Sequence, residues 1–124
     1  MNGALFKTSG ACACMAVRFQ VLLESSVALC YCELCRRTSG GPLQGWVNGV
    51  RASLTHSGKT TAWRSSSHAT RHFCGRCGSS LFLFEDDAVD MVEVAVGALE
   101  DQAAITSHRV GFPDGRPPWF PKIP

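Results

Sequence analysis

Seven cysteines occur in three short clusters, and the middle cluster is a C-x-C-x-x-C motif. The clusters are Cys12 and Cys14, then Cys30, Cys32 and Cys35, then Cys74 and Cys77. Thiols as close together as those of the middle cluster cannot form a stable set of disulfides with one another. They are well spaced to bind one metal ion. The chemistry of the chain therefore depends on which cysteines share an ion, and on whether any ion keeps an open position.

The odd number of cysteines and the N-terminal sequence both favour metal thiolates over disulfides. Residues 1–7 lack the charged region and the long apolar region of a secretory signal, so we expect a cytoplasmic, reducing compartment. In such a compartment, C-x-C and C-x-x-C spacings are typical of metal sites. The sequence therefore predicts bound metal and no structural disulfide.

Length and composition predict an ordinary globular protein. The 124 residues correspond to one domain, 1–124, and 45% of them are hydrophobic. The net charge of +2 is small and the twelve lysines and arginines are dispersed, which argues against nucleic acid as a partner. No stretch approaches the ~20 apolar residues of a membrane span, so no membrane association is expected.

Short strands are expected to position the first two clusters. Alternating apolar residues predict a strand over 16–23, with Val17, Phe19 and Val21 facing inward. Residues 24–26 have the composition of a turn, and a second strand over 27–29 would lead into Cys30. This hairpin would carry cysteines at both of its outer ends.

The third cluster is also expected at a turn between strands. Cys77 is followed by Gly78, and a C-x-x-C-G turn between strands near 69–73 and 80–84 is typical of a zinc knuckle. A helical turn over 36–39 would end at the glycines and proline of 40–42. The sequence predicts a mostly-β, small, single-domain, β-sandwich-like fold of short antiparallel strands stapled by zinc knuckles.

Spacing favours one closed metal site and one separate group of three thiols. The closed site would join Cys12 and Cys14 to Cys74 and Cys77, which closes a long loop and so stabilises the fold. Spacing also permits a different closed set, made of Cys12, Cys14, Cys30 and Cys32.

The three thiols of the middle cluster suggest chemistry. Catalytic zinc sites usually have three protein ligands and keep a fourth position for water or substrate. An open zinc can bind an incoming thiol and lower its pKa, and Arg36 and Arg37 would offset the charge of three thiolates. A histidine could instead close the site and make it structural. The candidates are His56, His68, His72 and His108.

The motifs together resemble the glutathione-dependent formaldehyde-activating enzyme and centromere protein V family. The matching segments are 10–19 with its C-x-C motif, 30–40 with C-x-C-x-x-C-R-R-T-S-G, 71–81 around C-G-R-C-G, 94–101, and the Pro-Trp at 118–119. The resemblance implies a β-rich fold with a structural zinc on Cys12, Cys14, Cys74 and Cys77, and a catalytic zinc on Cys30, Cys32 and Cys35. It also implies a reversible carbon–sulfur lyase reaction, in which glutathione adds to formaldehyde and gives S-hydroxymethylglutathione.

The chain departs from that family at one turn. Met15 stands where members usually have glycine, directly after the first C-x-C motif. We interpret Arg36, Arg37 and Arg71 as anchors for substrate carboxylates, since guanidinium groups bind carboxylates bidentately. Each of the three could equally be a structural or surface charge. His108 matches a position that the family often fills with histidine.

The leading hypothesis for function is a zinc-dependent carbon–sulfur lyase with a glutathione-like thiol and a small aldehyde as substrates. Two zinc ions are expected, the one on the middle cluster being the more easily lost. The alternative hypothesis is a non-catalytic, zinc-stabilised protein-binding module. An enzyme requires an open fourth position facing a cleft, whereas a binding module can close it. Homo-oligomerisation is left open by the sequence.

Overall fold

The computed structural model describes residues 4–124, so the expectation that residues 1–7 form no signal falls in part on residues outside the described range. Apart from single-turn 3-10 helices at Arg51–Ser53, Val96–Ala98 and Pro113–Gly115, nine strands and one α-helix make up the regular structure. They are β1 (Leu5–Ala11), β2 (Arg18–Cys30), α1 (Glu33–Ser39), β3 (Gln44–Val50), β4 (Thr55–Ser57), β5 (Thr60–Arg64), β6 (Ala69–Cys74), β7 (Ser80–Glu85), β8 (Met91–Ala95) and β9 (Ser107–Gly111). The predicted mostly-β fold is confirmed.

The nine strands form one hydrogen-bonded sheet with the order β1-β2-β3-β8-β7-β6-β5. The short strands β4 and β9 each pair with β2, so that β2 has four neighbours along its length. Every pairing is antiparallel except the parallel pairing of β2 with β9. Strand β2 is therefore the element on which the rest of the sheet is assembled.

The predicted turn at residues 24–26 is wrong, because β2 continues through it to Cys30. The pairing with β3 shifts register there: Leu23 lies opposite Gly49, and Val27 lies opposite Val47. Four residue steps along β2, from Leu23 to Val27, thus match two steps along β3, which is a bulge in β2. A hydrogen bond from another part of the chain stabilises the bulge: the Thr106 amide donates to the carbonyl oxygen of Ser25 at 2.9 Å.

The larger hydrophobic core covers one face of the sheet. Apolar residues of β2, β3, β7 and β8 alternate onto this face. Phe19 of β2 contacts Phe82 of β7 edge-to-face with 5.1 Å between ring centroids, although two strands separate β2 from β7. The sheet therefore curls until this face packs against itself, as in a sandwich.

The opposite face carries a second, smaller cluster next to α1. Its buried members are Cys35, Trp46, Ala69, Leu83 and Ala95. Helix α1 begins after Cys32, whose sulfur accepts a hydrogen bond from the Cys35 amide at 3.3 Å. It ends at Gly40, which adopts φ 73°, so the predicted stop is confirmed. Within the described residues, no helix has the length and apolar character to cross a bilayer.

Candidate metal centres and the adjoining cavity

Two turns bring four cysteines together at one end of the sheet. Cys12 and Cys14 lie in the turn between β1 and β2, whereas Cys74 ends β6 and Cys77 lies in the turn that follows it. All four sulfur atoms lie within 4.8 Å of one another. The Cys12–Cys14 and Cys14–Cys74 sulfur distances are 3.7 and 3.8 Å. Zinc–sulfur bonds of about 2.3 Å give a tetrahedron with edges of about 3.8 Å, so these four residues fit a closed tetrahedral zinc.

Backbone geometry explains how these two turns hold their thiols. Gly78 adopts φ 81°, and its amide donates to the Cys74 carbonyl at 2.7 Å. Met15 also has positive φ, at 67°, although it is not glycine. The amide of Val17 donates to the Cys12 sulfur at 3.2 Å. The position at which the resemblance expects glycine is therefore one where the turn requires left-handed backbone.

The three cysteines of the middle cluster meet at the junction of β2 and α1. The sulfur atoms of Cys30, Cys32 and Cys35 lie within 4.8 Å of one another. Within residues 4–124, no histidine, carboxylate or further cysteine completes this group, and the mixed set with Cys12 and Cys14 does not form. The group therefore offers three ligands, which fits a metal that keeps one position open.

The surroundings shift the pKa values of Cys30 and Cys32 in opposite directions. Burial raises the pKa of Cys30 to about 12, and the neighbouring thiols add to the rise. Burial also acts to raise the pKa of Cys32, but the Cys35 amide, the neighbouring thiols and Arg71 outweigh it and the pKa is lowered. Cys32 thus becomes a thiolate ligand more readily than Cys30.

Two side chains on the sheet support the deeply buried Cys35. The indole nitrogen of Trp46 lies 3.5 Å from its sulfur, and Nη2 of Arg71 lies 3.6 Å from it. Arg71 is only 7% exposed, its Nη1 donates to Thr38 Oγ1 at 3.0 Å, and its Nε has no partner. Its guanidinium also lies 5.7 Å from the Trp46 ring centroid. These contacts place a fixed positive charge against the three-thiol group.

A cavity of about 480 Å³ opens next to the three thiols. All three cysteines line it, together with Trp46, Arg71, Glu85 and Glu93. Phe112 stands at its rim, 67% exposed and with φ 53°. Burial and the nearby Glu85 raise the pKa of Glu93 to about 7, against the opposing effect of Arg109 and Arg71. The three-thiol group is therefore accessible to small molecules from this cavity.

The three arginines singled out in the sequence lie in different places. Arg71 lines the cavity, but Arg36 and Arg37 do not. Arg36 donates through Nε to the Tyr31 carbonyl at 3.1 Å, and Arg37 forms an exposed ion pair with Glu33 at 3.0 Å.

Three of the histidines considered as a fourth metal ligand lie outside the three-thiol group. His72 shares a 2.9 Å hydrogen bond with Thr60, and His108 is exposed and contacts the carbonyl of Pro124. His68 lines the cavity without joining the cysteine group. Sequence reasoning missed Glu93. The signal that could have identified it is its place between Val92 and Val94, on the face opposite to theirs.

Comparison with known proteins agrees with this arrangement of motifs. Residues 7–112 match the family model described as glutathione-dependent formaldehyde-activating enzyme. A protein of Halomonas elongata, provisionally named glutathione-dependent formaldehyde-activating enzyme, is 28% identical over 127 residues, which cover 89% of this chain and 77% of that protein. A Schizosaccharomyces pombe protein named an uncharacterised lyase is 30% identical over 74 residues, covering 59% of this chain and 54% of that one.

A solved structure shares the fold. The crystal structure of a Rhodobacter sphaeroides protein superposes with a TM-score of 0.64 at 23% identity, covering 74% of this chain and 87% of that chain.

Proposed function

The chain belongs to the glutathione-dependent formaldehyde-activating enzyme family, and from this premise we propose that it is a zinc-dependent carbon–sulfur lyase. Its reaction is the reversible addition of a small thiol, such as glutathione, to a small aldehyde, such as formaldehyde. The product is an S-hydroxymethyl thioether of the S-hydroxymethylglutathione type. The lyase name of the Schizosaccharomyces pombe relative supports the same class of reaction.

One observation carries the proposal: the three-thiol group of Cys30, Cys32 and Cys35 opens directly onto the cavity. Zinc bound there would supply a fourth coordination position at which a substrate thiol loses its proton more easily. A purely structural site would have no use for an accessible, three-ligand arrangement. The open geometry therefore favours the enzyme over the protein-binding module.

The protein's own residues hold and orient this group. Trp46 and Arg71 fix the sulfur of Cys35 from the sheet side, and Cys32 is fixed by its place at the start of α1. Arg71 offsets the negative charge of the thiolates and faces the cavity, where it is also the best placed of the three arginines to bind a substrate carboxylate. The same assignment for Arg36 and Arg37 rests on sequence spacing alone.

The second zinc has a structural role in this proposal. Cys12, Cys14, Cys74 and Cys77 would hold it in a closed site that joins two turns distant in sequence. Residues 1–124 would then act as one zinc-binding domain, and a reducing cytoplasm would keep all seven thiols available for metal.

The proposal is tested with zinc-loaded protein purified under reducing conditions. Exchange between ¹³C-formaldehyde, glutathione and their adduct is followed by NMR, with and without the protein. We expect two zinc ions per chain and faster exchange than in buffer. A variant with Cys30, Cys32 and Cys35 all replaced by serine should bind one zinc and lose the acceleration.

The control is Lys7→Gln, which removes an exposed charge of β1 outside the cavity lining and should exchange at the wild-type rate. A triple-serine variant that still accelerates exchange would refute the proposal. A fully zinc-loaded wild type that never accelerates exchange would refute it too, and would favour the protein-binding module.

A further inference from the structure

Glu93 lies on the same wall of the cavity as the arginine that contacts the three-thiol group. Leu83 of β7 pairs with Arg71 on one side and with Glu93 on the other, and Glu93 in turn pairs with Asn48. Directly paired residues of neighbouring strands share a face. The row Arg71–Leu83–Glu93–Asn48 therefore crosses four strands, and all four residues line the cavity.

A second register relation places Glu93 diagonally next to Trp46, the residue whose indole nitrogen contacts the Cys35 sulfur. Trp46 pairs with Ala95, which is two residues along β8 from Glu93. Diagonal neighbours of this kind lie about 7–8 Å apart. Trp46 itself lies 3.5 Å from the Cys35 sulfur through its indole nitrogen. Glu93 and the Cys35 sulfur therefore both neighbour Trp46, and all three residues line the cavity.

The surroundings of Glu93 leave its carboxyl group free to exchange a proton. The ion pairs of residues 4–124 are Arg37–Glu33 and Arg64–Asp86, so the Glu93 carboxylate has no cation within ion-pair distance in that range. The groups that face it are Glu85 from β7, Arg71 from β6 and Arg109 from β9, with His68 and the three thiols on the same cavity. Burial favours the neutral acid, and the two arginines restrain that effect.

We propose that Glu93 transfers the proton in the thiol–aldehyde reaction of this cavity. Its carboxylate takes the proton of the incoming thiol, and the resulting acid gives that proton to the carbonyl oxygen as the carbon–sulfur bond forms. The S–H bond and the C=O π bond break, the C–S and O–H bonds form, and no electron is gained or lost overall. The reverse reaction uses the same carboxyl group in the opposite sense. This inference rests on the proposed function.

Glu93 suits this role better than the other acid of the cavity. Glu85 pairs with Ala69, which lies one row further from the thiols than the row of Arg71. Glu85 therefore acts on Glu93 through its charge, while Glu93 is the carboxyl nearer to the reacting sulfur. A general acid–base group works best when its pKa lies near the working pH, and the value of about 7 for Glu93 meets that condition.

The first test replaces Glu93 in the zinc-loaded protein and measures adduct breakdown with glutathione and ¹³C-formaldehyde by NMR. Breakdown needs the carboxylate, so the wild-type rate should rise with pH through a midpoint near 7. Glu93→Gln should lower the catalysed rate about 100-fold with both zinc ions retained. Glu93→Asp, which keeps a shorter carboxyl group, should recover part of the rate.

The second test moves the midpoint without touching Glu93. Glu85→Gln removes a negative neighbour and should shift the pH midpoint downward, whereas Arg109→Gln removes a positive neighbour and should shift it upward. The ¹³C carboxyl resonance of Glu93 is assigned as the one that is absent from Glu93→Gln. Its titration midpoint should move downward in Glu85→Gln and upward in Arg109→Gln. This readout does not depend on activity, and a merely structural role for Glu93 would not move the rate profile.

The outcomes separate this inference from the proposed function. A wild type without any acceleration refutes the proposed function, and the role of Glu93 with it. An active wild type whose Glu93→Gln variant keeps the full rate refutes only the role of Glu93. Midpoints that stay fixed in both Glu85→Gln and Arg109→Gln also refute it, even if Glu93→Gln fails to fold.

Discussion

The guanidinium of Arg71 lies against the sulfur of Cys35, with 3.6 Å between Nη2 and Sγ. The arginine is 7% exposed, and no carboxylate in the described part of the chain pairs with it. A buried charge without a partner is costly, whereas one that faces a thiolate is compensated. Arg71 thus belongs to the electrostatics of the three-thiol group, where its charge helps to lower the pKa of Cys32.

Replacing Arg71 should weaken metal binding at the three-thiol group selectively. Arg71→Met keeps the length of the side chain but removes the charge and the hydrogen bond to Thr38. Loss of a group that orients a metal ligand typically lowers metal affinity about 10- to 100-fold. Competition with a chromophoric chelator should show this drop for one of the two zinc ions, and no change for the other.

Arg37→Gln is the matched control, because Arg37 is exposed and pairs only with Glu33 on the outer side of α1. It should change neither zinc affinity nor the free energy of unfolding by more than about 0.5 kcal/mol. Equal zinc release from wild type and Arg71→Met would show that Arg71 does not support the site.

The closed four-cysteine site should dominate stability. Cys74 is buried and joins the β6–β7 turn to the turn after β1. Because a metal bound only by the folded state adds its binding free energy to stability, Cys74→Ser should lower the melting temperature by about 10 °C or more. Thermal denaturation of the zinc-loaded proteins by circular dichroism measures this effect.

Cys32→Ser is the matched control for Cys74→Ser. Serine is a good N-cap, so α1 keeps the cap that the Cys32 sulfur now provides. The melting temperature should fall by less than about 4 °C. If Cys32→Ser were as destabilising as Cys74→Ser, the division into a structural and an open site would be wrong.

Met15 should carry a backbone penalty that glycine relieves. Its φ of 67° lies in the left-handed region, which costs a residue with a Cβ about 1–2 kcal/mol. Glycine loses more entropy on folding, so the net gain for Met15→Gly should be about 0.5–1 kcal/mol. Met15→Ala keeps the Cβ and should show no gain. Urea denaturation measures both, and an equal gain for glycine and alanine would exclude backbone strain as the cause.

Local sequence patterns predicted the cysteine clusters well because their geometry is local. The C-x-x-C-G turn and the three thiols around the start of α1 depend on residues within a few positions of each other. Spacing favoured the grouping of Cys12 and Cys14 with Cys74 and Cys77, but it also permitted a set with Cys30 and Cys32. The roles assigned to these clusters stay predictions until metal binding is measured.

The cavity could not be predicted from local sequence patterns, because strands that are distant in the sequence form it. Trp46, Glu93, Leu83 and Arg71 share a face only through the register of β3, β8, β7 and β6, which a single sequence does not display. The bulge in β2 misled the prediction for a related reason. Glu24, Ser25 and Ser26 have turn composition, but contacts from the distant segment near Thr106 keep them extended.

Glu93 should make the protein less stable as the pH rises, and Glu93→Gln should remove that dependence. The pKa of Glu93 rises from an ordinary value of 4.5 to about 7 on folding. The folded state therefore binds more protons than the unfolded state between these values, and the free energy of unfolding falls as pH increases through this window. Because part of the carboxyl group meets solvent, the gain for Glu93→Gln at pH 8 should be about 2 kcal/mol rather than the full shift. About 1 kcal/mol of that gain should disappear at pH 6.

Urea denaturation of the zinc-loaded proteins at both pH values measures the difference, with Glu100→Gln, which replaces an exposed glutamate, as control. A gain for Glu93→Gln that is the same at pH 6 and pH 8 would mean that Glu93 does not titrate in this range.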